Sequence, residues 1–226
     1  MRPETLDHVA LWVVDRDRIA DFATRHLGMH DIERTDKFTL IGSDARRGKL
    51  TLFAEEGPRE RGALKHIALR VNDLETALAE LPELDVERVD RSAYFDVAED
   101  LRLGLVEAPT DVEYDLDHVA LFSRDPDETA RAYRAFGFEP GGDRRVEVGG
   151  AHVEFHEGDP GDPERPLLNH LAVLVESAGE HLDEARRLGM EVADVVDAPN
   201  TYAIFLRGPE GVKIEYVEQK PTFALK

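Results

Sequence analysis

Apolar and polar residues alternate with a period of two in many short stretches of this chain and follow a helical spacing in a few longer ones. The clearest alternating stretch, LDHVAL, is printed twice, at residues 6–11 and 116–121. Each copy opens the same succession of elements. After the first comes DRDRIADFATRHLGM, in which Ile19, Phe22, Ala23 and Leu27 form one apolar face; after the second comes DPDETARAYRAFGF, with Ala130, Tyr133 and Phe136 similarly spaced. Both predict helices that end at a glycine, Gly28 and Gly137. Short alternating segments follow, FTLIG and KLTLFAE in the first half and RRVEV and AHVEFHE in the second, and these predict half-buried strands.

A second histidine-bearing strand then appears in each half, KHIALRV with His66 and NHLAVLV with His170. Each leads into another helical segment, NDLETALAEL or SAGEHLDEARRLG, and then into further strands that include LRLGLVEA and VKIEYVE. The unit is strand, helix and about three strands, repeated four times. Two units fill residues 1–108 as one domain and two more begin at residue 115 in a second domain, 115–226. Residues 109–114 are the linker, since APTDVEYD breaks the periodicity and carries a proline.

Alternation also sorts the faces. Val119 and Leu121 share the side suited to packing under a helix, and His118, Ala120 and Phe122 take the other; Leu171, Val173 and Val175 are likewise separated from His170 and Ala172. One histidine on a strand is ordinarily structural. Histidines at equivalent points of repeated strands, each followed two residues later by alanine, leave room beside the imidazole and point to a ligand role. His26, His30 and His181 lie in or beside helices and read as solvated.

Composition narrows the chemistry. The chain has no cysteine, so any metal must be held by histidine and carboxylate. VALWVV is too short to span a membrane, and its acidic and basic flanks do not suit a signal peptide, so a soluble, cytoplasmic protein is expected. A net charge of −20 would repel nucleic acid. Six lysines stand against 22 arginines, and 48 acidic residues are dispersed over the whole chain. That pattern suits a salt-rich cytoplasm, where a Debye length of about 3 Å at molar salt screens self-repulsion.

A paired βαβββ unit with histidine on each opening strand, and FLRGPEGVKIE leading into the last strand, resembles the vicinal oxygen chelate superfamily, which includes glyoxalases, epimerases, extradiol dioxygenases and bleomycin- or fosfomycin-resistance proteins. The resemblance covers essentially the whole chain. It implies an α+β fold of four βαβββ modules, forming two tandem glyoxalase-like domains with sheets curled around a metal cleft. It also implies a divalent metal, Fe2+ or Mn2+ foremost and Ni2+, Co2+ or Zn2+ as alternatives, and a small-molecule substrate, catechol-like or a 2-oxo or enediol compound. A homo-oligomer is compatible with it. Carried over residue by residue, the ligands in the second half are His118 and His170 from opening strands, Glu215 from the last strand, and Glu154 in AHVEFHE at the fourth ligand position.

The first half departs from that pattern. Gly104 aligns with Glu215, Leu52 aligns with Glu154, and Glu107 lies on the wrong parity to substitute. With His8 and His66 alone it reads as a degenerate copy, and Trp12 on the His8 face would fill the space of a substrate. This assumes that modules pair within their own half. If they pair across halves, His8, His170 and Glu215 form one site and His66, His118 and Glu154 another. The intact set in one half and the compact linker favour pairing within halves.

Three functions stay open. The two-domain plan is similar to extradiol ring-cleaving dioxygenases, although Phe205 stands where those enzymes carry a tyrosine and VVDAPN lacks their histidine. A glyoxalase- or epimerase-like lyase or isomerase would use Glu154 as base with His156 as its partner. A resistance-type protein would only bind a small molecule. The charge pattern yields its own test: the thermal midpoint should rise steadily from dilute buffer to molar salt, and a midpoint indifferent to salt would mark the charge as ordinary acidity.

Overall fold

Each helix starts at a side chain able to hold its first turn. In the computed structural model, which describes residues 1–44 and 48–222, Asp15, Asp73, Asp125 and Ser177 each accept a hydrogen bond from the backbone N–H three residues on. These caps satisfy donors that a first turn leaves unpaired. The last four residues of the expected second domain lie outside the described residues.

The first module comprises β1 (Thr5–Val13), α1 (Arg16–His26), β2 (His30–Arg34), β3 (Phe38–Gly42) and β4 (Lys49–Ala54). The second comprises β5 (Leu64–Val71), α2 (Leu74–Ala79), β6 (Glu87–Val89), β7 (Ser92–Ala98) and β8 (Leu101–Glu107). The third comprises β9 (Asp115–Ser123), α3 (Pro126–Tyr133), β10 (Glu139–Pro140), β11 (Arg145–Val148) and β12 (Ala151–Glu157). The fourth comprises β13 (Leu168–Leu174), α4 (Ala178–Arg187), β14 (Val192–Asp197), β15 (Thr201–Arg207) and β16 (Lys213–Gln219). The expected four βαβββ modules are therefore present. The third helical segment differs in its end: α3 stops at Tyr133, tightens into a 3-10 turn and closes on Gly137 at φ 88°. No helix among the described residues is long and apolar enough to cross a membrane.

The helices cover one face of the sheets. Ile19, Ala20 and Ala23 of α1 are buried, as are Val9, Leu11 and Val13 on the covered face of β1. Truncating Leu11 or Ile19 to alanine typically costs about 2–5 kcal/mol. His8 and Ala10 alternate with them and take the open face, as the period-two reading requires.

The strands form two eight-stranded sheets, and neither follows the halves of the chain. One has the order β14-β15-β16-β13-β1-β4-β3-β2, the other β10-β11-β12-β9-β5-β8-β7-β6. The expected pairing of modules within each half is therefore corrected: module one joins module four through antiparallel β1 and β13, and module two joins module three through antiparallel β5 and β9. The two charged loops make this exchange. EEGPRERG and EGDPGDPERP carry the chain from one sheet to the other and cross there, with Glu60 donating to the Arg165 carbonyl and accepting from Leu167 N–H. The linker at 109–114 joins two modules of the same sheet and is gripped by Asn72, whose side chain bonds both Thr110 N–H and Thr110 carbonyl.

Two glutamates in hairpin turns clasp the sheets together. Glu99, between β7 and β8, accepts from Val14 and Asp15 N–H at the start of α1, at 2.6 and 2.8 Å. Glu210, in the Pro-Glu-Gly turn before β16, accepts from Ser123 Oγ and Arg124 N–H, both at 2.9 Å. Both glutamates have positive φ, 53° and 54°, a conformation that disfavours a side chain and is held here by these charge-assisted bonds. Glu99→Ala and Glu210→Ala should each lower unfolding free energy by about 1–3 kcal/mol, nearly additively because the sites are separate. Urea denaturation measures both, and losses within ~0.3 kcal/mol of zero would contradict the clasps.

Candidate metal centres

A β-bulge stands immediately before each of the four strand histidines. Along β1 the register passes from Leu6 to His8 while its partner advances one residue, from Val173 to Ala172, so Asp7 is the extra residue. The same shift leaves Asn169 extra before His170, Lys65 before His66 and Asp117 before His118. A bulge breaks alternation locally and re-aims side chains, so here the residue preceding the histidine lies beside the imidazole. Asp7 accepts from His8 Nδ1 at 2.8 Å, Asn169 Oδ1 from His170 Nδ1 at 3.1 Å, and Asp117 from His118 Nδ1 at 2.7 Å. Lys65 is the exception and turns to His156 Nδ1, 3.0 Å away.

With Nδ1–H committed in this way, the Nε2 lone pairs of His8 and His170 face each other at 3.2 Å on the first sheet. Glu215 from β16 lies across from Ala172 and brings Oε2 to 3.2 Å from His8 Nε2 and 2.8 Å from His170 Nε2. Ala10 and Ala172, both fully buried, keep the floor beneath the rings small. Three electron-pair donors about 3 Å apart match neighbouring ligands of one divalent ion bound at about 2.1 Å. The donor set therefore fits such an ion.

The electrostatics agree with that fit. Burial alone would neutralise His8, but its bonds to Asp7 and Glu215 outweigh burial and push its pKa up to about 9. Burial lowers His170, and Glu215 is held well below the usual carboxylate range by His170 and His8 despite its burial. With Asp7 paired to Lys49, Glu215 draws the positive charge to this spot, as a proton shared with His8 Nε2 or as a divalent ion in its place.

The second sheet carries a looser version. His66 Nε2 and His118 Nε2 are 2.9 Å apart, and Glu154 Oε1 lies 3.7 and 3.8 Å from them. That oxygen accepts from His156 Nε2 at 2.7 Å. Burial opposes the ionised form of Glu154, yet the His156 bond and the nearby imidazoles bring its pKa down to about 2. Burial and His118 push His66 down to about 3. Among the described residues, Asp117, His118 and His152 form a third close group, in which the His152 ring stacks on His118 at 4.7 Å.

The four residues expected as one ligand set do not meet. His170 and Glu215 stand on the first sheet with His8, and His118 and Glu154 on the second with His66. The first-half histidines are therefore not left over. The fourth ligand position is Gly104 on the second sheet, as aligned, with the Tyr94 ring in its place: a Cβ there would come within 2.7 Å of Tyr94. On the first sheet it is Thr51, not Leu52. Thr51 lies across from Ala10 as Glu154 does from Ala120, while Leu52 has the opposite parity and is fully buried. Glu107 is elsewhere, bonded to Arg91. His181 packs on Tyr216 at 5.3 Å rather than facing solvent alone.

Above the first-sheet group is a cavity of about 560 Å³ walled by Phe38, Leu40, Phe53, Phe205 and Val217, with Lys37 among its polar residues. Phe205 and Phe53 lie edge-on to His170 at 5.1 and 6.4 Å. Trp12 does not fill this space; its ring lies beneath Lys213 Nζ, 5.0 Å away. Strict alternation sets Asp7 and His8 on opposite faces, and the recurrence of Asp before His in both copies of LDHVAL is the sequence signal that the pair acts together.

Fold and site define a class. The family model for the glyoxalase/bleomycin resistance protein/dioxygenase superfamily matches residues 5–92 and 115–216, and the chain belongs to that superfamily. Among solved structures, it is similar to a Bacillus subtilis protein provisionally assigned as a dioxygenase, at 19% identity and a TM-score of 0.80 over 99% of this chain and 87% of that one. Glyoxalase I from Zea mays matches at 15% identity and a TM-score of 0.73, over 95% and 92%. The cppA protein of Streptococcus pneumoniae matches at 14% and 0.64, over 96% and 100%. No curated protein matches the sequence significantly.

Because the first-sheet group shares no residue with the second-sheet groups, Glu215→Gln and His118→Gln should each remove a different one of two divalent ions per chain. Equilibrium dialysis with metal analysis of both variants tests this. Loss of the same single ion in both would show that the two residues serve one site.

Proposed function

We propose that the first-sheet group is the working centre of a divalent-metal enzyme, with Fe2+ or Mn2+ held by His8, His170 and Glu215, acting on a small molecule that offers two adjacent oxygens. The observation that carries this reading is the donor set itself, two imidazoles and one carboxylate converging at the floor of an apolar, aromatic-walled cavity. Two histidines and one carboxylate with open positions form the facial arrangement of non-haem iron oxygenases. Thr51 at the fourth position adds no second carboxylate to the His8, His170 and Glu215 group. When bound, the metal would supply Lewis acidity and redox chemistry at chelating substrate oxygens.

The residues of the chain do the rest. Asp7 and Asn169 hold the imidazoles with Nε2 forward. Phe38, Phe53 and Phe205 exclude water and offer faces and edges to a flat ring. The similarity to the Bacillus subtilis protein is in the same direction, as a likeness of fold. Phe205 brings no hydroxyl to Glu215, so the site departs from extradiol ring-cleaving enzymes at that point.

A specific observation favours a second reading for the second sheet. Glu154 stands back from His66 and His118 and is committed to His156, which in turn accepts from Lys65. A carboxylate placed beside a metal pair of histidines, but bonded to a proton-carrying partner, suits the proton transfer of a glyoxalase- or epimerase-like lyase or isomerase.

Oxygen uptake by anaerobically purified, iron- or manganese-loaded protein, with a panel of catechols, tests the main reading. Uptake should vanish in Glu215→Gln and persist in Glu154→Gln. If no catechol supports uptake while 2-oxo or enediol compounds exchange their α-proton only when Glu154 is intact, the second reading replaces the first. Tight binding of small molecules with neither reaction would leave a binding protein.

A further inference from the structure

Lys49 is one of the largest fully buried side chains of the protein, at 2% exposure, in a chain with only six lysines. It lies on β4 directly across from His8, and its Nζ is 2.8 Å from Asp7 Oδ1. The other Asp7 oxygen accepts from His8 Nδ1 at 2.8 Å. Asp7, itself 2% exposed, thus bridges a buried ammonium and a histidine of the proposed metal centre. A buried ion pair is a weak source of stability, because desolvating two charges offsets their attraction. Hydrophobic residues of similar volume would serve packing as well, so the pair calls for another role.

The second sheet repeats the device with different parts. Asp117 accepts from His118 Nδ1 and is met by Arg70, 2.9 Å away on the adjacent strand β5. His152 occupies the place of Lys49 there and stacks on the imidazole instead. The bulge, the aspartate and a cation are common to both, although the cation comes from different strands. His170, by contrast, is held by the uncharged Asn169.

We propose that Asp7 and Lys49 form a positioning pair for the first-sheet metal centre: Asp7 locks His8 in the tautomer that presents Nε2, and Lys49 cancels the carboxylate charge so that the site gains a stronger donor without gaining net negative charge. This rests on the reading of His8, His170 and Glu215 as metal ligands. A carboxylate behind a metal-bound histidine fixes the ring and raises its basicity, and removing such a partner typically weakens metal binding by about 10-fold to 100-fold. Asp117 and Arg70 play the same part for His118.

The test uses cobalt(II) as the probe, in the His118→Gln background, which takes a ligand from both second-sheet groups so that only the first-sheet ion is read. Affinity is measured by chelator competition, coordination by the visible absorption of the bound ion, and folding by the melt of the metal-free protein. Asp7→Asn should weaken cobalt binding by about 10-fold to 100-fold and shift the absorption bands, and Asp7→Glu should restore part of both. The double variant Asp7→Asn/Lys49→Met removes both buried charges, so its metal-free melt should recover towards that of the background while its affinity stays low. Affinity and spectrum of the double variant equal to those of the background would overturn the positioning role and leave the pair structural. Failure of the His118→Gln protein itself to take up cobalt would overturn the metal reading of the first sheet, and the positioning role with it.

Discussion

Everything distinctive in this molecule depends on the antiparallel contact between opening strands from opposite halves of the chain. β1 lies against β13 and β5 against β9, and each contact is interrupted by two bulges. The pairing brings one histidine from each half to the same spot on the open face. At His8, His118 and His170 the bulges then place a polar residue behind the imidazole and turn its Nε2 outward. Without the contact the histidines would be isolated strand polars; without the bulges they would lack a fixed tautomer. The hairpin glutamates Glu99 and Glu210 belong to the same design, since each reaches from a module of one sheet to a helix start on the other.

The two groups are built alike and tuned apart. On the first sheet Glu215 is buried within hydrogen-bonding distance of both imidazoles, beneath an aromatic cavity. On the second, Glu154 is less buried and answers to His156, while Tyr94 takes the volume that a side chain at Gly104 would need. A carboxylate held on the imidazoles suits a ligand, and one held beside them by a proton-carrying partner suits a base. Duplication of the module has in this way supplied two starting points that local packing separated chemically.

Much of the fold was legible because its periodicities are strong. Val9, Leu11 and Val13 alternate with His8 and Ala10, helix caps recur before each apolar face, and the doubled LDHVAL marks the repeat. Which modules pair was not legible, since the opening strands carry nearly the same sequence and each could face several partners with equal burial. The loops around Glu60 and Pro166 decide it, and their charged composition gives no sign of where they lead. The right ligand types were therefore found and wrongly grouped. Thr51 was missed for a related reason: one residue of register separates the turns that precede KLTLFAE and AHVEFHE, and in a strand that exchanges the two faces. The Asp7–His8 partnership was hidden by the same period-two rule that found His8, because a bulge suspends the rule at that one point.

The most direct measurement is anomalous diffraction from crystals of the cobalt-loaded protein. A strong peak is expected, enclosed by His8 from the first half of the chain and by His170 and Glu215 from the second. A metal peak bounded only by residues of the second half, or cobalt bound solely at surface carboxylates, would contradict it.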